Sequence, residues 1–286
     1  MPKRTLFVND EKDEARLAGG RAERHDWGTP FVPSRSSYES VFVIPPEGVP
    51  AVAFPPELSG LTGVERLTIP YTLLPAIADV PWLDGLRSLT VAGPWVPASR
   101  YDKAHRWPGI RLPGLRALRV INAAEDLWPK MGFSGECFPD LSHIEVVAGG
   151  RTGLALLSSF PRLVHAEIRR AASLDVLAAL APSVQAVRIV TSGRNLPLGS
   201  LAALPALESL DLCGVRTQID CAVFAGARSL AELRLWGCVR PVNPAALLTH
   251  PALRSVEIVA CHRPVDADLR AAFEAHGFDN LSLDHQ

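Results

Sequence analysis

The chain has 286 residues, of which 48% are hydrophobic and 21% are charged, so it can build a long core and is not a disordered sequence. Its net charge of −1 argues against general binding to nucleic acid or to a membrane surface, since both depend on a strong basic excess. The sequence shows no signal peptide and no apolar run of about 18 residues, so we expect no membrane span. Its five cysteines are an odd number, and a reducing cytoplasm is the simplest compartment for them.

Residues 1–60 do not follow the repeat that fills the rest of the chain. Residues 9–18 predict a short polar helix that ends at a pair of glycines. Residues 41–44 and 52–54 predict two strands separated by a turn. Because the open end of a repeat stack would expose apolar surface and an unpaired strand edge, we interpret this segment as an N-terminal cap. A separate small domain is less favoured, because the segment is rich in proline.

From residue 61 to residue 286 one apolar pattern recurs, and its clearest copy is Leu204-Pro-Ala-Leu-Glu-Ser-Leu-Asp-Leu212. The third apolar residue of each copy recurs at intervals of 21 to 29 residues. These residues are Leu67, Leu89, Leu118, Ile144, Ala166, Val187, Leu210, Leu233, Val256 and Leu281. A period in the twenties is typical of a solenoid, in which small units stack and share one continuous core.

The residues within each copy predict a strand followed by a short helix. In Leu210–Leu212 apolar residues alternate with a polar one, which is the period of a half-buried strand. Asn243 before Pro244 predicts a helix N-cap, and residues 266–276 followed by Gly277 predict a capped helix. Strands that follow one another in the same direction need right-handed crossovers. The predicted fold is therefore an α/β right-handed solenoid with a parallel sheet on one face and short helices on the other.

The spacing resembles that of the leucine-rich-repeat family, whose signature is L-x-x-L-x-L-x-x-N/C-x-L. Leu230, Leu233, Leu235 and Cys238 fit this signature, and the match extends from Leu61 to Leu283 over about ten repeats. At the Asn/Cys site the other repeats carry no asparagine but Ala123, Gly149, Ala171, Ser192, Val215 and Cys261. The resemblance is to bacterial-type members with irregular repeats. It implies a parallel sheet on the concave face, helices on the convex face and a role in binding other macromolecules.

The two longest intervals between repeats are adjacent and fall within residues 92–137. Insertions in adjacent repeats emerge on the same side of the stack and often form a binding rim. Aromatic and arginine residues are the usual anchors of protein interfaces. The candidate partner-binding residues here are Trp95, Arg100, Tyr101, Arg106, Trp107 and Trp128. Basic residues among aromatics can also hold a single nucleic-acid strand, and the structural alternative is that these aromatics fold the long loops back onto the convex surface.

The middle residue of each predicted strand should face outward on the concave side. From residue 119 onward these residues mostly alternate in charge, so Arg188 with Asp211 and Arg234 with Glu257 should pair across strands. The next outward position predicts an apolar stripe of Ile121, Val147, Val190, Trp236 and Val259. An apolar stripe beside a charged ladder is typical of a partner-binding surface. We therefore predict that Arg188, Arg234 and Trp236 contact a partner.

Two His-x-Glu units occupy the same sites in adjacent repeats. His143, Glu145, His165 and Glu167 should form a small square on the concave face, and imidazole and carboxylate ligands suit zinc, iron or manganese. A metal-dependent enzyme or enzyme accessory subunit is therefore the alternative function. The competing interpretation is two coincidental exposed polar pairs, and no other catalytic signature stands out.

The cysteines and the last strand leave further alternatives open. Cys238 and Cys261 occupy equivalent sites in adjacent repeats, which would allow a disulfide or half of a thiolate metal site. The other interpretation is that both are small buried turn residues. Because only three residues follow Leu281–Leu283, nothing in the sequence covers this last strand, and we expect a monomer or an edge-paired homodimer.

Overall fold

The computed structural model describes residues 4–9, 22–46, 53–93, 102–121, 123, 127–148, 150–171, 176–191, 196–216, 218–261 and 265–283. The backbone forms two compact units, Met1–Leu141 and Ser142–Gln286, called unit 1 and unit 2 below. No helix within the described ranges is long and apolar enough to cross a membrane.

Unit 1 is built on a parallel sheet whose strands are separated by short 3₁₀ helices. The strands in its described part are β1 (Thr5–Asn9), β2 (Ala22–His25), β3 (Ser40–Ile44), β4 (Arg66–Pro70), β5 (Ser88–Ala92) and β6 (Ala117–Ile121). They are ordered β2-β1-β3-β4-β5-β6. The 3₁₀ helices are Pro56–Gly60, Tyr71–Leu73, Pro75–Asp79, Leu83–Gly85 and Trp128–Met131.

The N-terminal segment continues this sheet. The strand predicted at 41–44 is confirmed as β3, which pairs with β4. Ala53 and Phe54 lie outside any strand, so the second predicted strand is wrong there. The reason is that two prolines follow, which donate no ladder hydrogen bond, and the 3₁₀ helix begins at the second of them. Of the helix predicted at 9–18, Asn9 belongs to β1 and residues 10–18 lie outside the described residues.

Unit 2 repeats the arrangement. Its described strands are β7 (His143–Val147), β8 (His165–Arg169), β9 (Ala186–Val190), β10 (Ser209–Cys213), β11 (Gln218–Asp220), β12 (Glu232–Trp236), β13 (Arg240–Val242), β14 (Ser255–Val259) and β15 (Asn280–Ser282). The main parallel sheet is ordered β7-β8-β9-β10-β12-β14-β15, and β11 pairs with β13 separately. The helical segments are α1 (Arg151–Leu157), α2 (Ala267–His276) and the 3₁₀ helices Leu177–Ala179, Leu201–Ala203, Cys221–Gly226 and Pro244–Thr249.

The register of both sheets is the register predicted from the repeat. In unit 2 the third apolar residues pair with one another from strand to strand, and Val187, Leu210, Leu233 and Val256 are buried. The residues between them face outward, as the two-residue period of a strand requires. The core of each unit therefore lies between the inner face of the sheet and the helical segments, and the outer face carries the polar ladder.

Both helices predicted in unit 2 lie where the sequence placed them, and one of the two predicted N-caps is confirmed. Asp266 accepts a hydrogen bond from the Leu269 backbone N–H at 2.8 Å, and α2 ends at Gly277 in a left-handed conformation, as predicted. Asn243 does precede a helix, but its side chain makes no cap bond. It donates instead to Asp220 Oδ1 at 3.1 Å, so this part of the prediction is wrong.

A left-handed residue directly follows several strands of unit 2. The φ angles are 53° at Arg170, 70° at Gly214, 62° at Gly237 and 54° at Ala260. The N–H of Gly214 donates to Trp236 O at 2.8 Å, and the N–H of Gly237 donates to Val259 O at 3.0 Å. The turns at Gly214 and Gly237 are therefore hydrogen-bonded to the end of the next strand in the sheet.

Candidate binding surface

Trp236, the last residue of β12, is the most prominent apolar side chain on the outer face of unit 2. It is 45% exposed, and the only other exposed large hydrophobic residue in the described part of the chain is Val32. Its register partners are Cys213 on β10 and Val259 on β14. Trp236 thus stands at one edge of the outer face, at the end where the strands turn into the loops.

The predicted ion pairs beside Trp236 are confirmed. Arg188 Nε lies 3.4 Å from Asp211 Oδ2, and Arg234 Nε lies 3.0 Å from Glu257 Oε2. Both arginine side chains are well exposed, so each pair contributes only about 0.2–1 kcal/mol to stability. Their main effect is to hold the guanidinium groups in defined positions on the surface.

The apolar stripe is narrower than predicted. Val147 is buried, and Val190 and Val259 are half-buried, so they expose less apolar surface than predicted. The predicted exposure of Val147 is wrong, since its side chain is packed into the unit, whereas the predicted exposure of Trp236 is confirmed. The exposed apolar surface of unit 2 therefore centres on one tryptophan.

Burial affects the ionisable groups beside this tryptophan. It raises the pKa of Asp211, an effect opposed by Arg188 and Arg234. Burial also raises the pKa of the Cys213 thiol, and the nearby Asp211 carboxylate adds to that shift. Cys213 therefore stays a neutral thiol at neutral pH, and it contributes an apolar contact rather than a nucleophile.

The two His-x-Glu units have the predicted register. His143 pairs with His165 and Glu145 with Glu167 across β7 and β8. The two imidazole rings are stacked, with centroids 5.6 Å apart and an interplanar angle of 18°. His143 Nδ1 also lies 2.8 Å from the Ser142 hydroxyl.

Arg169 takes the place that the sequence predicted for a metal ion. One of its terminal nitrogens lies 2.9 Å from Glu145 Oε1 and 2.8 Å from Glu167 Oε1. The carboxylates therefore converge on a guanidinium. In the described part of the chain no three His, Cys, Asp or Glu side chains are arranged to hold a metal. The four predicted ligands lie close together, but the geometry gives the metal hypothesis no support.

The environment of His165 disfavours its charged form. Burial, reinforced by the neighbouring His143, lowers the pKa of His165 below its ordinary value, and Glu167 opposes this shift. Sequence spacing revealed the histidine pair, but it gave no role to Arg169. The signal that would have found it is the two-residue step from Glu167, which puts the guanidinium on the same face of the strand.

The aromatic residues predicted at the rim separate into two groups. Trp95, Arg100 and Tyr101 lie outside the described residues. Trp107 and Trp128 are only 5% and 1% exposed, so they are not available as surface anchors.

Trp107 packs against Phe133 and Phe138, and its Nε1 donates to Ile110 O at 2.9 Å. Both tryptophans are packed inside the unit, as the packed-loop alternative requires. For Trp107 this burial is favourable because its indole N–H finds an acceptor. Arg106 is exposed, and its Nε donates to Lys130 O at 3.1 Å.

Cys238 and Cys261 are free, buried thiols at the turns. Cys238 donates a hydrogen bond to Leu212 O, and Cys261 donates one to Leu235 O, at 3.4 and 3.6 Å. Each thiol thus bonds the backbone of a strand in the preceding repeat. The hydrogen bond with Cys261, together with burial, raises the pKa of Cys238. The interpretation as buried turn residues is confirmed.

The parallel sheets, the short helical crossovers and the recurring apolar register define a leucine-rich-repeat fold. The crystal structure of the TLR13–ssRNA13 complex is similar, with a TM-score of 0.53 and 18% identity, and the match covers 90% of this chain and 39% of that chain. An internalin (inlF) from Listeria monocytogenes gives a TM-score of 0.47 and 15% identity over 86% of this chain and 74% of that chain. No protein-family model and no curated protein sequence matches the chain.

Proposed function

We propose that this chain is a non-catalytic scaffold that binds a protein or peptide partner through the outer face of unit 2, centred on Trp236. The exposed indole ring carries the proposal. Tryptophan and arginine dominate binding energy at protein interfaces, and a large rigid aromatic ring loses little entropy on binding. Trp236 has Arg234 two residues before it on the same face of β12.

The charged ladder supplies specificity rather than affinity. Arg188 and Arg234 already pair with carboxylates of this chain, so a partner must match fixed positions of both signs. Electrostatic matching of this kind selects among partners and speeds association more than it tightens the complex. The partner is therefore a protein or peptide that offers a pocket for the indole ring and mixed charges around it.

The segment 92–137 is the second part of the proposed surface, and two of its predicted residues, Trp107 and Trp128, are buried. Among the described residues predicted there, Arg106 is the exposed candidate contact. The compartment is the bacterial cytoplasm, as the five unpaired cysteines and the resemblance favour, and the chain acts as a monomer or an edge-paired homodimer.

A peptide-display selection tests the surface. Peptides selected on the wild-type protein should bind Trp236→Ala about 30-fold or more weakly, since a hot-spot residue contributes about 2 kcal/mol or more. The melting temperature should change little, because the side chain is half in solvent. Val32→Ala is the matched control, since Val32 is 86% exposed and lies in unit 1. Selected peptides that bind Trp236→Ala and wild type equally would refute the proposal.

A further inference from the structure

The outer face of unit 1 contains a cavity of about 530 Å³. It is lined from β1 to β6 by the side chains of the sheet, among them Phe42, Arg66, Thr68 and Arg119. We propose that this cavity binds an extended acidic peptide segment that carries an aromatic side chain at one end. The site shares no residue with the Trp236 surface and does not depend on it.

One end of the cavity is aromatic. Phe7 on β1 and Phe42 on β3 are register partners, and their rings are stacked with centroids 4.9 Å apart and an interplanar angle of 26°. Phe7 is buried and Phe42 is half-buried, and both rings line the cavity. An aromatic side chain of a ligand can extend this stack, which contributes beyond the area that it buries.

Among the described residues, the charged side chains that line the cavity are all positive. Arg66 and Arg119 line the cavity, and no carboxylate is among its described lining residues. Glu39 lies 3.2 Å from the Arg66 guanidinium, yet the Arg66 side chain remains 58% exposed, and a guanidinium has five donors. The charge complementary to this surface is a carboxylate, which an arginine can bind through two parallel hydrogen bonds.

Hydroxyl groups line the cavity between the aromatic and basic residues. These are the side chains of Thr5, Ser40, Thr68, Ser88 and Thr90. Ser40 and Thr90 are the least exposed of these residues, each at 8% of its surface, so a ligand in the cavity would contact them at its floor. A hydroxyl both donates and accepts, which suits the alternating N–H and C=O groups of a peptide backbone.

The register fixes the length of the segment. Phe7, Phe42, Thr68, Thr90 and Arg119 are consecutive register partners across five strands. Neighbouring strands lie about 4.8 Å apart, so this row spans about 19 Å. An extended peptide advances about 3.3 Å per residue, so about six residues cover the row. The aromatic side chain belongs at the β1–β3 end, and carboxylates belong near Arg66 and Arg119.

A nucleic-acid strand fits this lining less well, although it too offers rings and negative charge. Its affinity depends on neutralising many phosphates along the backbone. The described lining contains two arginines and no lysine, and one of these arginines already shares its charge with Glu39. Phosphate oxygens only accept hydrogen bonds, which leaves the acceptor capacity of the hydroxyl row unused.

Calorimetric titration of the full chain tests the proposal. The probes are two blocked hexapeptides that each carry one terminal phenylalanine and two glutamates, in opposite sequence order. At least one should saturate the protein with one site. Replacing its glutamates by glutamine, or its phenylalanine by alanine, should weaken binding about tenfold or more. The protein variants Phe42→Ala, Arg66→Gln and Thr68→Val should weaken it in the same direction.

Matched controls keep the result interpretable. Arg111→Gln changes an exposed arginine of unit 1 outside the cavity, and Trp236→Ala changes the other surface, so both should bind like wild type. Thr68→Val keeps the side-chain shape and covers the case in which Phe42→Ala fails to fold. The proposal is overturned if neither peptide saturates, or if the cavity variants bind as wild type does. It is also overturned if a single-stranded hexanucleotide binds through Phe42 and Arg66 while the peptides do not.

Discussion

Arg169 shows how one side chain decides what a cluster of ligand-type residues does. Glu145 and Glu167 are adjacent carboxylates that repel each other, and a cation between them removes that cost. The guanidinium supplies the cation from the same strand as Glu167, at 2.8 Å from it. The repeat predicted where the histidines and carboxylates lie. It could not predict which positive group satisfies them, because that choice depends on where a long flexible side chain packs.

His165 should make stability depend on pH. Burial, followed by the proximity of His143, lowers its pKa below the ordinary 6.5, so near that pH the unfolded chain binds more protons than the folded chain. The free energy of unfolding should therefore fall as pH drops through about 6.5, and level off below the folded-state pKa. The other charged groups nearby are Glu167 and Arg169 on the same strand, Glu145 on β7 and Arg188 on β9.

Urea unfolding at a series of pH values between about 8 and about 5 measures this slope. His165→Asn cannot titrate, so its slope should be shallower than that of wild type. A proton titration of His165 by NMR with a midpoint at or above the ordinary value would contradict the prediction.

At the scale of single elements, strands were more predictable from sequence than loops. A strand here needs only the alternation seen in Leu210–Leu212, and the stacked neighbours fix its register. The aromatics of 92–137 carry no comparable period. Trp107 and Trp128 read equally well as anchors or as packing residues in the sequence, and only the position of Phe133 and Phe138 decides that Trp107 is buried.

The turns after β10 and β12 offer a matched pair of substitutions. Gly214→Ala and Gly237→Ala both place a side chain at positive φ, which costs about 1–2 kcal/mol. A Cβ at Gly214 would also lie 2.8 Å from Thr191 O, whereas the nearest atom at Gly237 is 4.0 Å away. Gly214→Ala should therefore destabilise more than Gly237→Ala in chemical denaturation. Equal losses would show that the backbone at Gly214 relaxes away from the contact.

At the scale of the whole molecule, each repeat is stabilised by its neighbours. In unit 2, β10 is paired on both sides by five-residue strands, whereas β15 has three residues and pairs with β14. The period of the apolar residues was enough to predict the solenoid, because stacking is the only way to bury such small units. The cavity of unit 1 was not predicted, since Phe7 and Phe42 lie in the segment interpreted as a cap.

Hydrogen exchange should report this gradient in stability. Backbone amides of β10 and β12 should be the most protected among the strands of unit 2, and those of β15 should exchange fastest, because β15 is short and, among the described strands, pairs only with β14. Mass spectrometry of peptic fragments provides the measurement. Protection of β15 equal to that of β10 would indicate that the last strand is covered by another chain, as an edge-paired homodimer requires.

Arg170 and Ala260 adopt the same left-handed turn as Gly214 and Gly237, although their side chains disfavour it. The conformation at this corner is therefore imposed by the adjoining repeats rather than encoded by the local residue. When the neighbouring repeats hold the turn in place, the residue type at this corner can change without loss of the turn. Glycine at both positions is therefore a natural starting point for building a more stable array.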